Sequence, residues 1–208
     1  MLHTQSMERP VLSRRDENAA ATRRALLEQA AKLFADKGFA GTSMGEVGML
    51  ARVTKGAVYH HFTNKQALFR AVLEMVDEQT MRAIVTRSSG ADSPWEAAVA
   101  GLNAFLDRCL DHDYQQICFL DGPSALGFVQ WWEHGERHVE GVLKAVLAAL
   151  REDRSIVTAD VDALGTALYG ALTAAALTIA RAGDKQAARE VMGRTLIELL
   201  EGLRPATP

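Results

Sequence analysis

The sequence predicts an all-α protein, with an N-terminal three-helix helix-turn-helix domain and a larger helical domain behind it. Three observations carry that expectation. Apolar residues recur at three- and four-residue spacing along most of the 208-residue chain. Helix start and stop signals fall between those periodic segments. No run combines period-two alternation with the turn chemistry a sheet needs.

The elements follow in order. Over 17–37, Leu26, Leu27, Ala30, Leu33 and Phe34 recur at helical spacing, and Gly38 after Lys37 is a stop signal. Ser43 and Glu46 form an S-x-x-E capping box that opens a short helix over 44–50. Thr54 is placed to cap a third helix over 55–62. Asn64 is placed to cap a fourth, through LFRAVLEMVDEQTMRAI. Two short helices a few residues apart, behind a longer one, make a helix-turn-helix. Ser93-Pro94 opens a helix to about Leu110. An apolar segment at 115–121 is expected to break at Gly122-Pro123, and helices are expected over 125–151, 158–181 and 184–203. The organisation is a disordered arm at 1–15, a helix-turn-helix domain at 16–66 and a helical domain at 67–205.

Composition narrows the class. Hydrophobic residues are 48% and charged residues 24% of the chain, as in a soluble globular protein. Residues 1–70 carry 11 Lys+Arg against 6 Asp+Glu, whereas residues 71–208 carry 12 against 20. A basic head on an acidic body directs the head toward a polyanion. The first residues lack a secretory pattern, and Cys109 and Cys118 make no disulfide framework, which suits a reducing cytoplasm. The run VDALGTALYGALTAAALTIA is Ala-rich and contains Asp162. It reads as a buried interface helix, so no membrane is expected. Absence of G-x-S-x-G, H-E-x-x-H and Gly-rich phosphate loops argues against an enzyme. His134 and His138, four apart, could join Cys109, Cys118, His112 or Glu133 around a metal. No spacing makes that specific, so neither metal nor cofactor is expected.

The stretch TKGAVYHHFTNKQALF carries the function. On a helix over 55–62, Val58 and Phe62 share the core face, Gly56 and His60 point roughly away from it, and Tyr59 is on the flank. Thr54 and Lys55 sit at the N-terminal end, where free N–H groups and the helix dipole favour phosphate. Gly56 permits close backbone approach, Tyr59 can donate to phosphate and His60 can reach a base edge. Lys65, at the start of the next helix, can pin a second phosphate. This set suits a helix entering the major groove of double-stranded DNA.

Residues 22–70 resemble the TetR family of bacterial transcriptional regulators, through LLEQAAKLFADKGFAGTS, then VTKGAVYHHF, then NK-x-x-LF. LDGPSALGFVQWWE is similar to a segment of some members' C-terminal domains. The resemblance implies a homodimeric repressor that leaves DNA when an unknown small-molecule effector binds its C-terminal domain. By position it places DNA contacts on Ser43, Thr54, Lys55, Gly56, Tyr59, His60 and Lys65, with His61 touching phosphate or supporting the turn. Arg52 stands where the family's turn has a small residue, often Gly. Gly48 and Met49 stand where Ala and a polar residue are commoner.

The last two helices are then expected to dimerise through Gly165, Gly170 and Ala174 on one and Leu196, Leu199 and Leu200 on the other. The expected pocket is lined by Trp95, Phe105, Cys109, His112, Phe119, Leu126, Phe128, Trp131, Trp132 and His134, for a largely apolar or aromatic effector. A constitutive or architectural DNA binder without effector is the alternative.

Overall fold

The computed structural model describes residues 13–205, and every regular element in them is helical. Residues 1–12, most of the expected arm, lie outside the described residues. The first helix, α1 (Arg14–Gly41), starts earlier than expected because Ser13 Oγ accepts the Asp16 N–H at 3.3 Å. Gly38 interrupts it at φ 72° and ψ 171°, as the stop signal suggests. Behind it come α2 (Met44–Leu50), α3 (Lys55–His61) and α4 (Lys65–Ser88). Ser43, Thr54 and Asn64 cap these three, each accepting the N–H three residues on at 3.2, 3.2 and 2.8 Å. The capping box forms only in half: Ser43 caps, but the Glu46 carboxylate pairs with Lys37.

Leu26, Ala30 and Phe34 of α1, Val47 of α2, Val58 of α3 and Leu68 and Phe69 of α4 are fully buried in one core. Phe69 meets Phe34 edge-on, with centroids 5.1 Å apart. Two positions at odds with the family pattern now have physical accounts. A Cβ on Gly48 would lie 2.8 Å from Val58 Cγ2, so glycine here lets α2 press onto α3. Arg52 takes φ 58° in the turn between them, a left-handed conformation that costs a non-glycine residue about 1–2 kcal/mol. Arg52→Gly is therefore expected to raise the unfolding free energy by about 1 kcal/mol in a urea titration.

The larger domain contains α5 (Pro94–Arg108), α6 (His112–Tyr114), a π-helical segment (Gln115–Asp121) and α7 (Gly122–Leu126). It ends with α8 (Phe128–Glu152), α9 (Val161–Arg181) and α10 (Lys185–Glu201). The expected break at Gly122-Pro123 does not occur. Pro123 falls in the first turn of α7, where an N–H is not needed. Gly122 makes room for Trp131, whose Cδ1 would lie 2.6 Å from an added Cβ. The chain breaks at Gly127 instead, at φ 83°, so the helix expected from 125 starts at Phe128. Trp131 Nε1 donates to the Cys118 carbonyl at 2.6 Å, tying α8 to the π segment.

Candidate nucleic-acid interface and effector cavity

α3 turns its apolar edge inward and leaves its polar edge open. Val58 and Phe62 are buried, whereas Thr54, Lys55, Gly56, Tyr59 and His60 are exposed. The Lys55 ammonium lies 5.9 Å from the Tyr59 ring centre, on the same open side. Ser43 is exposed at the start of α2. Burial, then the neighbouring His60 and Arg23, lower the His61 pKa below the usual histidine value, so this imidazole is neutral at pH 7. That suits support of the turn better than charge on a phosphate.

Lys65 has a different place from the one expected. Its ammonium donates to the carbonyls of Phe39 and Thr42 at 2.7 and 3.0 Å, at the end of α1. It also sits 4.4 Å from the Phe39 ring centre. The side chain thus satisfies carbonyls at the end of α1, where the helical ladder stops. Lys65→Ala is expected to cost about 1.5–3 kcal/mol of stability, as for hydrogen bonds to a charged group. The salt slope of DNA binding should then stay the same. A lysine on a phosphate would instead reduce that slope by about 1.

Behind the head, a cavity of about 500 Å³ lies among α4, α5, α8, α9 and α10, with Tyr114, Cys118 and Phe119 in its wall. Most of that wall is aliphatic or aromatic. The polar end gathers Asp77 of α4, His134 and His138 of α8, and Tyr169 of α9. His134 Nε2 is 3.0 Å from Asp77 Oδ2, and Tyr169 donates to the Trp132 carbonyl at 3.3 Å. Burial pushes the Tyr169 hydroxyl up to about 12, and the thiols of Cys109 and Cys118 upward too, so all three stay protonated.

Four expected liners, Phe105, Phe119, Trp131 and His134, are in the wall, and six are elsewhere. Cys109 and Leu126 are buried in the general core. His112 Nε2 sits 3.1 Å from the Ala35 carbonyl, and Trp95 lies under the Arg204 guanidinium. Phe128 is 62% exposed and stacks on Trp132, which packs against Tyr169. The rotation of α8 decides this: Trp131 and His134 face inward, while Phe128 is on the outer side. Asp77 was legible but missed, since it stands one turn from Leu73 on the buried stripe of α4.

Two family models match this chain. Residues 26–72 match the bacterial regulatory proteins of the tetR family, and residues 95–203 match the tetracyclin repressor-like C-terminal domain. The second covers more than half of the chain. The chain belongs to the TetR family. It is 28% identical to the transposon Tn10 TetC protein of Escherichia coli over 158 residues, 74% of this chain and 78% of that protein. A TetR-family transcriptional regulator from Pectobacterium atrosepticum superposes with a TM-score of 0.79 at 30% identity, covering 95% of this chain and all of that one. RolR in complex with resorcinol shares the fold at a TM-score of 0.69 and 22% identity, covering 92% of this chain and 97% of that one. As a TetR-family protein the chain is a DNA-binding transcriptional regulator and not an enzyme.

In this TetR-family regulator the two domains are joined at the kink in α1. The kink breaks the helical bond that would run from the Phe39 N–H to the Ala35 carbonyl. Both groups find partners in the larger domain: Asp121 Oδ2 accepts from Phe39 N at 2.6 Å, and His112 takes the Ala35 carbonyl. Asp121 and His112 flank the stretch that supplies Tyr114, Cys118 and Phe119 to the cavity wall. Gln66 of α4 adds a bond to the Ala125 carbonyl at 2.7 Å. A change in the cavity therefore has a short route to the junction of α1 and α2.

The expected dimer face divides. Gly165, Leu196 and Leu200 are buried within the chain, with Leu196 and Leu200 in the cavity wall. Gly170 is half-buried beside Trp132. Ala174 and Leu199 remain exposed, as do Ala163 and Ala167 of α9 and Val191 of α10. α9 is long and apolar enough to cross a membrane, yet only 39% of its most apolar window is buried within this chain.

Proposed function

We propose that this regulator is a ligand-responsive repressor. It binds a (pseudo)palindromic operator as a homodimer and is released by a small, largely apolar or aromatic effector. The observation that carries this reading is the cavity of about 500 Å³, whose wall includes Leu73, Asp77 and Ile84 of α4. α4 begins at Lys65, beside the exposed edge of α3, and runs into the larger domain. An occupant that moves α4 or the π segment shifts the helix that reads DNA. A constitutive architectural binder has no use for such a cavity. RolR, a protein of the same fold, holds resorcinol, and a phenol of that size suits an aromatic-walled cavity with one polar end.

The exposed small residues of α9, with Val191 and Leu199 of α10, fit a close helix-to-helix contact across a twofold axis. A DNA-binding role is consistent with a cytoplasmic protein. Anisotropy of a labelled operator, measured while small phenols are titrated in, tests the effector reading. Release at concentrations that also raise the melting temperature is expected. Binding of a ligand in the cavity with no change in operator affinity would contradict it.

A further inference from the structure

We propose that Asp77, His134 and His138 form a binding site for a divalent transition-metal ion at the polar end of the cavity. This deepens the reading of the cavity as the sensor site and rests on it. Each residue offers a donor atom, and the three atoms lie within 4.8 Å of one another. They come from two helices. His134 and His138 are one turn apart on α8 with ring centres 4.2 Å apart, and Asp77 faces them from α4, with its Oδ2 3.0 Å from His134 Nε2.

The orientation of His138 carries the argument further. Its Nδ1 lies 2.8 Å from the His134 carbonyl, and a carbonyl can only accept, so Nδ1 carries the proton. In the neutral tautomer with that proton, Nε2 is the nitrogen that carries the lone pair for a metal. A second ring nitrogen held by a backbone carbonyl is the usual way a metal-binding imidazole is oriented. Two imidazoles and one carboxylate suit zinc, cobalt or nickel rather than magnesium or calcium, which prefer oxygen alone. Bonds of about 2.0–2.2 Å require the donors to draw together as the ion binds. Three protein ligands leave at least one position open, and here it would face the apolar cavity. One carboxylate leaves the ion with net positive charge there, so a chelating or anionic oxygen of an organic guest would complete the site. Closure would pull α4 toward α8. No sequence spacing reveals the group, because Asp77 is 57 residues from His134.

The test uses the full chain, free of affinity tag and stripped with a chelator, titrated with Co(II). One ion per chain with a visible absorption band, displaced by zinc, is expected. Asp77→Asn and His138→Ala should each weaken binding at least ~10–100-fold, the loss seen even for outer-shell partners, with unchanged circular dichroism. Uptake of an apolar fluorescent probe, abolished by filling the cavity with Ala97→Trp, reports the cavity separately. Probe uptake without cobalt binding overturns the metal site and leaves the sensor reading standing, while failure of both overturns both. Cobalt bound equally by the parent and both variants marks adventitious histidine binding and also overturns the site.

Discussion

In an anisotropy titration at fixed salt, the Lys55→Ala, Tyr59→Phe double variant is expected to bind operator about 10- to 100-fold more weakly than the parent chain, a cost of about 1–3 kcal/mol. Both side chains are on the open edge of α3, and neither supports the core, which Val58 and Phe62 supply from the other edge. The melting temperature and oligomeric state should therefore not move. Lys55 stands in the first turn, where the helix dipole already favours phosphate. Tyr59, one turn on, is 45% exposed, so its hydroxyl is free to donate. Loss of affinity with loss of folding would point to a structural role instead, and unchanged affinity would remove α3 from the interface.

The second large effect is expected at the junction. Asp121→Ala removes the acceptor of the Phe39 N–H and the contact beside Gly38. A stability loss of about 1–3 kcal/mol is expected for the unsatisfied amide. The more telling result is in coupling. Communication between an effector and an operator is typically worth about 1–3 kcal/mol, and much of it should vanish in this variant. The effector should bind as before, because Asp121 is outside the cavity wall. The fold-change in operator affinity that the effector causes should shrink toward one. An unchanged fold-change would mean that α4 alone transmits the signal.

The fold of the N-terminal head was nearly all legible in the sequence. Caps at Ser43, Thr54 and Asn64 and apolar spacing in α1 define local structure, and local structure decides which edge of a seven-residue helix is free. What escaped was set by partners distant in the chain. Lys65 is drawn to the end of α1 by carbonyls 23–26 residues earlier, which no local pattern marks. The sequence marks Arg52 only as standing where the family's turn often has glycine, and the left-handed conformation it adopts there appears only in the fold. In the larger domain, periodicity identified the helices but not their rotation. Aromatic residues on α8 therefore divided between the cavity wall, at Trp131, and the outside, at Phe128. The π segment kept Gly122-Pro123 within helical structure, because the glycine accommodates a tryptophan from the next helix.

Selection of binding sites by the purified full chain from a random pool of DNA duplexes tests the central claim most directly. A twofold-symmetric sequence should be enriched, with half-sites about 34 Å apart or a multiple of that. The Lys55→Ala, Tyr59→Phe protein should not enrich it. Recovery of no preferred duplex at low salt, or of one that the double variant binds equally well, would contradict the account.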